Sequence, residues 1–230
     1  MEPVPSVRVR CPRCAGVSGG VHEPVPSITQ YQSPDLIEAI VYRDVDPASD
    51  PRWRDWGASS PAEYGFWSSR ACGMTCLRMI LRHRGDDAPT LGQLMRDGVD
   101  RGAYELTSDG GVRGMIYAPF AAYVRDRFGL DASVHPRLSV EELLDELARG
   151  RMVIASVHRE IRRPERPAPG RGGHLVLATG YDGEHIHLRN PSGHTADSRR
   201  ARLTPERFER FYASRGISVD LATEPGHSAG

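Results

Sequence analysis

The chain has 230 residues, in which 30 basic and 30 acidic side chains cancel. That length fits one domain with a sizeable core better than two, and the balanced charge gives no global field drawing the chain to nucleic acid or to a membrane. Every basic residue is arginine, which excludes a phosphate-loop lysine and a lysine Schiff base. No stretch approaches the roughly eighteen apolar residues of a membrane span, and the opening MEPVPSVRVR has no apolar signal segment, so the expected setting is the cytoplasm.

Residues 1–26 are rich in Pro, Gly and Val without helical or strand period and read as an extended arm. Residues 220–230 read as a flexible tail, leaving one domain at 27–219. Ser33 before Pro34 predicts a capped helix start, with Leu36, Ile37 and Ile40 on one face. The stretch DPASDPRWRDWGASSPAEYGFW is punctuated by Pro and Gly, which predicts no long regular element, and its aromatic residues are expected to pack on the body near Cys72. Helices are predicted over 72–83, 90–97 and 117–128, the last stopped by Gly129. A fourth, SVEELLDELARG, has the capping-box form Ser139 to Glu142 and a terminal Gly150. The period then changes, and MVIASVH, HLVLATG and EHIHLRN read as strands at 152–158, 174–180 and 184–190. Helices first and sheet afterwards predict an α+β fold. Arginines at 159–171 interleave with proline and lack aromatics, which predicts a mobile loop ahead of His174, not a nucleic-acid platform. His185 and His187 fall on the polar strand face and read as solvated.

Four cysteines, in the pairs Cys11/Cys14 and Cys72/Cys76, are too few and too clustered for a disulfide framework, so reduced thiols are expected. Cys11-Pro-Arg-Cys14 has the form of half a zinc knuckle, but no second pair follows at a usual spacing and a metal-free arm is the simpler reading. Cys76 shares a helix face with Met79, Ile80 and His83 and reads as a small buried hydrophobe. Cys72 falls at a predicted helix start, where free N–H groups and partial positive charge favour a thiolate. Ser68 and Ser69 are capping types just upstream, and Gly73 leaves room for a substrate backbone. A candidate base lies downstream: GGHLVLATGYDGEHIHLRNPSG puts His174 at the start of one strand and Asn190 at the end of the next. A three-residue connection, Tyr181 to Gly183, would set His174 opposite Asn190, Val176 opposite Leu188 and Ala178 opposite Ile186, whereas a two-residue loop would put His174 and Asn190 on opposite faces.

The blocks ACGMTCLRMIL, GGHLVLATGYDG and RNPSG, in that order and separation, resemble the C39-like members of the papain-like cysteine peptidases, from about Thr29 to Phe211. The resemblance implies a papain-like α+β fold whose catalytic helix packs on a C-terminal antiparallel sheet. It further implies that Cys72 attacks a carbonyl, His174 takes the thiol proton and later protonates the leaving group, and Asn190 orients the imidazole. Such peptidases carry a glutamine shortly before the cysteine as an oxyanion donor, but GFW stands there in this chain. The nearest substitute is Gln30, displaced as though residues 44–66 had been inserted, with Gln32 the second choice. The implied activity is a thiol-dependent hydrolase acting on a peptide or protein substrate, with no metal or cofactor and with Cys72 reacting below the usual thiol range. Acyl transfer of a transglutaminase-like kind, a catalytically silent peptide-binding module, and a zinc protein using all four cysteines are the rivals.

Overall fold

The computed structural model describes residues 20–223, so Cys11 and Cys14 lie outside the described residues. After a 3-10 turn at Pro34–Leu36 come helices α1 (Ile37–Tyr42), α2 (Pro61–Ser68), α3 (Cys72–Arg84) and α4 (Leu91–Asp100). A small hairpin, β1 (Glu105–Leu106) with β2 (Val112–Arg113), leads to α5 (Tyr117–Phe128), strand β3 (Leu130–His135) and α6 (Val140–Ala148). Strands β4 (Met152–His158), β5 (Gly173–Tyr181) and β6 (Ile186–Arg189) follow, then α7 (Ala196–Arg199), β7 (Arg202–Leu203), α8 (Pro205–Glu209) and β8 (Tyr212–Thr223). The last strand thus runs on past residue 220. No helix among the described residues is long and apolar enough to cross a membrane.

The predicted helices form where their signals placed them. Ser139 and Glu142 make the reciprocal capping box of α6, Thr90 and Gln93 make another for α4, and Gly129 ends α5 in the left-handed conformation at φ 63°. Two caps differ from expectation. Ser33 does not cap its helix, because its hydroxyl donates instead to Asp50 Oδ1 at 2.7 Å. Neither Ser68 nor Ser69 caps α3; the N-cap is Ala71, with no side-chain bond, because α2 occupies the residues up to Ser68. Helix α2 itself forms inside the punctuated stretch, since Ser60 accepts from Glu63 N and Pro61 starts the helix, a cap written out in SPAE.

The six-stranded sheet is antiparallel throughout, in the order β3-β8-β4-β5-β6-β7. Both its faces are covered. Met152, Ile154, Leu175, Leu177, Ile217 and Val219 join a core with α3, α4 and α5, whereas Val153, Ala155, Val157, Val176 and Ala178 join a second core with α6 and α8. Strand β4 is therefore buried on both sides, as a run of six buried residues requires. Strands β3 and β8 were not anticipated, although Leu130, Ala132 and Val134 alternate with polar residues, as do Ile217, Val219 and Leu221.

The β5–β6 register differs from the predicted one. The connection is four residues, Asp182 to His185, with Gly183 in the left-handed region at φ 92° and the Asp182 carboxylate accepting from Glu184 N and His185 N. Ala178 pairs with Leu188, not Ile186, and a bulge between Ala178 and Gly180 absorbs one residue. A four-residue loop alone would reverse the facing of every residue beyond it; the bulge reverses it again. The net shift of two residues keeps each side chain on its predicted face.

The polar face of β6 is covered, which corrects the expectation of solvation for His187, while His185 falls in the loop before the strand and stays partly exposed. Residues 21–25 lie along the sheet: Val21 bridges Gly180, and His22 N donates to Thr179 O at 3.0 Å. A Cβ at Gly180 would meet Val21 Cα at 2.5 Å, so the close approach needs glycine there. Arg189 is buried under this segment, donating to Val25 O and Glu23 at 2.9 Å each, and buried His187 pairs with Asp182 at 2.7 Å.

Residues 44–66 pack as expected, through a buried carboxylate. Asp50 is 1% exposed and accepts from Ser33 N, Ser33 Oγ, Arg52 N and the Tyr64 hydroxyl, all within 2.9 Å. Burial opposes its charge, but these donors outweigh burial and hold its carboxyl below the usual aspartate range. A depressed folded value means stability that is present above the unfolded aspartate pKa of about 4 and lost as pH falls through the folded value. Asp50→Asn should therefore flatten the acid limb of a urea-midpoint-against-pH curve below about pH 4, and Asp50→Ala should cost about 3 kcal/mol by stranding buried donors. An unchanged acid limb in Asp50→Asn would show that this network does not set it.

Candidate active site

The chain segment Asn190-Pro191-Ser192-Gly193 has the residues of a tight turn in their preferred places: Asn first, Pro second, Gly last. The turn forms, with Gly193 N donating to Asn190 O at 3.2 Å. Ser192 N also donates to Asn190 Oδ1 at 3.0 Å, the side-chain mimic of a backbone turn that asparagine favours. This contact fixes the amide, because a backbone N–H must face oxygen and not the NH₂ group. His174 Nε2 lies 2.9 Å from that same oxygen. Nε2 therefore carries the proton, and Nδ1 is left with its lone pair free to accept one.

His174 and Asn190, brought together by the shifted register, are 6% and 3% exposed. Gly172 and Gly173 precede His174 with φ of 80° and 88°, a left-handed pair that only glycine adopts without strain. Burial, helped by the Arg162 and His158 charges, lowers the His174 pKa to about 3 against the opposing effect of Asn190. The imidazole is neutral across the physiological range.

Cys72 stands half-buried at the first position of α3. Burial is the largest influence on its thiol and raises the pKa, outweighing hydrogen bonds from the backbone of Leu175, Gly73 and Cys72 itself and the Arg162 charge. This corrects the expectation of a resting thiolate: the uncapped helix start acts in the expected direction but is the weaker effect. The sulfur sits on the backbone of Leu175, the residue after His174, and buried Cys76 packs on the Leu175 carbonyl at 3.9 Å. Gly73 is also corrected, since Met115 and Leu175 fill the space a substrate backbone would need. Its lack of a side chain allows close packing.

Gln30 is 2% exposed and lines a cavity of about 570 Å³ together with Tyr31, Arg162 and His174. Its backbone is pinned from two sides, Gln30 N donating to Pro191 O at 2.8 Å and Trp56 Nε1 to Gln30 O at 2.9 Å. Gln30 Nε2 donates to Ser68 O at 2.9 Å, while Oε1 is buried with no partner among the described residues. Flipping the amide would set two oxygens together, so the nitrogen faces the α2–α3 junction. Gln32 is not among the residues that line this cavity, and its backbone N–H donates to the Tyr64 hydroxyl.

Three nearby residues were not among the candidate site residues read from the sequence. Tyr31 is 4% exposed; burial raises its pKa, Arg162 opposes that, a Cys72 charge adds to it, and a hydrogen bond from Gln30 opposes it, so the phenol stays protonated. Ser192 Oγ lies 3.0 Å from His174 Nε2 and 3.3 Å from Asn190 Oδ1. Arg162 Nε donates to that hydroxyl at 2.9 Å, which corrects the reading of its segment as a mobile loop at this end: Arg159–Arg162 is a 3-10 turn and Arg162 is buried. Ser192 was legible from the turn residues around it, whereas nothing in the arginine-rich run singled out Arg162. Among the described residues no cluster of three or more His, Cys, Asp or Glu could hold a metal ion.

A thiol at a helix start, set against an antiparallel sheet that carries a paired histidine and asparagine, defines the papain-like class of fold. Residues 52–218 match the Peptidase_C39 like family, and the chain belongs to that family. Cys72, His174 and Asn190 lie inside the matched span, and Gln30 lies outside it. No curated protein matches the chain. Among solved structures it is similar to one described as a C39-like peptidase from Bacillus anthracis, at 18% identity and a TM-score of 0.47 over 67% of this chain and 90% of that one. It is also similar to a double glycine motif protease from an AMS/PCAT transporter in complex with the leader peptide, at 19% identity and a TM-score of 0.41 over 64% and 81% of the respective chains.

A His174 pKa near 3, against about 6.5 unfolded, means that the unfolded chain binds a proton the folded one refuses. Stability contributed by neutral His174 is full above about pH 6.5 and declines as pH falls toward 3. In ¹⁵N-resolved imidazole spectra His174 should hold a fixed Nε2–H tautomer from pH 8 down to the onset of unfolding. A His174 signal that titrates between pH 5 and 7 would overturn both the burial argument and the tautomer assignment.

Proposed function

We propose that the chain is a thiol-dependent hydrolase that cleaves a peptide or other amide through an acyl-enzyme on Cys72. The observation that carries the reading is the His174–Asn190 pair at 2.9 Å, with the Cys72 sulfur held on the backbone of the residue next to His174. Because both partners rest neutral, the thiol proton moves to His174 Nδ1 as sulfur attacks the carbonyl carbon, and the C–S bond forms with the imidazolium. The oxyanion is met by the Cys72 N–H and by the Gln30 amide nitrogen. Collapse breaks the C–N bond, His174 gives its proton to the leaving amine, and water, deprotonated by His174, then releases the acid and restores the thiol. Asn190 Oδ1 holds Nε2–H throughout and supports the transient imidazolium.

One observation favours the second reading, a silent peptide-binding module: the resting pair is neutral, so Cys72 is not primed as a thiolate. Peptide turnover decides between them. Cys72→Ala should abolish turnover, and His174→Ala should lower it at least about 10²-fold. Gln30→Ala should cost about 10²-fold in kcat with the fold intact. Asn190→Ala should lower kcat less than His174→Ala, with Asn190→Asp milder still. A parent chain that cleaves no member of a broad peptide pool, read by mass spectrometry, and whose Cys72 reacts no faster than the thiols of the denatured chain, would replace the hydrolase by the binding module.

A further inference from the structure

Arg162 is 8% exposed, yet no carboxylate pairs with it among the described residues. A guanidinium has five N–H donors, and the single bond from Nε to Ser192 Oγ uses one. Its terminal nitrogens make no hydrogen bond among the described residues, and they are not sealed in the interior, because Arg162 forms part of the cavity wall with Gln30, Tyr31 and His174. Two acidic groups share that wall. Glu160 is engaged by Arg163 at 3.0 Å, and Arg163 in turn stacks on Tyr42 at 3.6 Å, while Asp44 is exposed and unpaired with Arg162. Arg159 and Arg163 also line the wall, the latter paired with Glu160. A charge taken out of water without a counter-ion is costly unless an anion arrives to meet it, and a planar fork of donors suits a carboxylate.

We propose that this cavity receives a carboxylate of the substrate on the Arg162 guanidinium, which makes the site selective for acidic peptides. The proposal rests on the hydrolase reading for the word substrate, and it names the substrate class. The carboxylate comes either from an Asp or Glu side chain or from a peptide C-terminus, and the guanidinium binds both alike. Seating it has a chemical consequence beyond affinity. The Arg162 and His158 charges both disfavour the imidazolium that attack must create on His174, and an anion on Arg162 offsets the first of them. An acidic substrate thereby eases proton transfer from the thiol.

Four chloroacetyl peptides test this, since the Cys72 sulfur displaces chloride with loss of the thiol proton: Gly-Asp-amide, Gly-Asn-amide, Gly-Gly with a free carboxylate, and Gly-Gly-amide. Peptide mapping gives the acid-to-amide rate ratio at Cys72, and the same ratio on the denatured chain supplies the reagents' intrinsic reactivity. The native ratio should exceed the denatured one by about tenfold, the order of one charge-assisted bond. A rise in the Asp arm identifies a side-chain carboxylate, and a rise in the Gly-Gly arm identifies a C-terminus. Arg162→Gln should return the ratio to the denatured value and Arg162→Lys should keep part of it. Equal native and denatured ratios in both arms overturn the proposal, as does a ratio that persists in Arg162→Gln. If Arg162→Gln does not fold, the parent ratios and Arg162→Lys decide alone. A Cys72 inert to all four reagents defeats the hydrolase reading only. The acetylated, unreactive peptides then decide the carboxylate site by ligand-observed NMR: contact for acid over amide supports it, and equal contact overturns it.

Discussion

One oxygen atom, Asn190 Oδ1, is the point on which the candidate site turns. Three donors converge on it: Ser192 N at 3.0 Å, Ser192 Oγ at 3.3 Å and His174 Nε2 at 2.9 Å. The first belongs to the turn itself, so the oxygen is aimed before the histidine arrives. With the oxygen so aimed, the imidazole has one possible tautomer and one nitrogen able to accept a proton. The same turn anchors Gln30, whose N–H is bound by the carbonyl of Pro191. A local preference of four residues thus orients His174 and anchors Gln30, which are far apart in the chain.

The loop of residues 44–66 serves that arrangement from the other side. Trp56 holds the Gln30 carbonyl, while Asp50 gathers Ser33 and Tyr64 around the residues that follow Gln30. A segment of this length is a risk to precision if it floats, because closing a long loop removes little of its freedom. Buried aromatic packing and a four-donor carboxylate remove that freedom. Gln30 is thereby fastened by this loop through Trp56, and the α2–α3 junction, where Ser68 O accepts from its amide, receives its side chain.

Much of this was legible in the residues. The four long helices carried capping boxes or glycine stops, and the GGH and RNPSG blocks put the histidine and asparagine on one sheet face. What failed was the geometry between them. The bulge near Thr179 has no motif, and a loop longer than predicted by one residue would have separated His174 from Asn190 had the bulge not cancelled it. The resting charge state failed for a different reason. A helix start favours a thiolate, but how far burial opposes it depends on Leu175, Met115 and the surrounding tyrosines, which arrive from distant strands and loops. Arg162 was invisible because a buried arginine and a solvated one have the same neighbours in sequence.

That buried cation is also where the electrostatics of the site are least settled within the folded chain. Arg162 supports the polar network, since its bond to the Ser192 hydroxyl leaves that group's own proton free to point at Asn190 Oδ1. Yet it works against the histidine, whose protonated form it repels, and it helps a Cys72 anion only weakly against burial. The opposed effects resolve when negative charge enters the cavity. An oxyanion growing on the substrate and a carboxylate seated on the guanidinium both shift the local balance toward an imidazolium, and neither is present at rest. On the proposed hydrolase reading a neutral thiol and a neutral imidazole are stable partners at rest, with separation of their charges favoured once substrate binds. Selectivity and activation are on this view one electrostatic event centred on one residue.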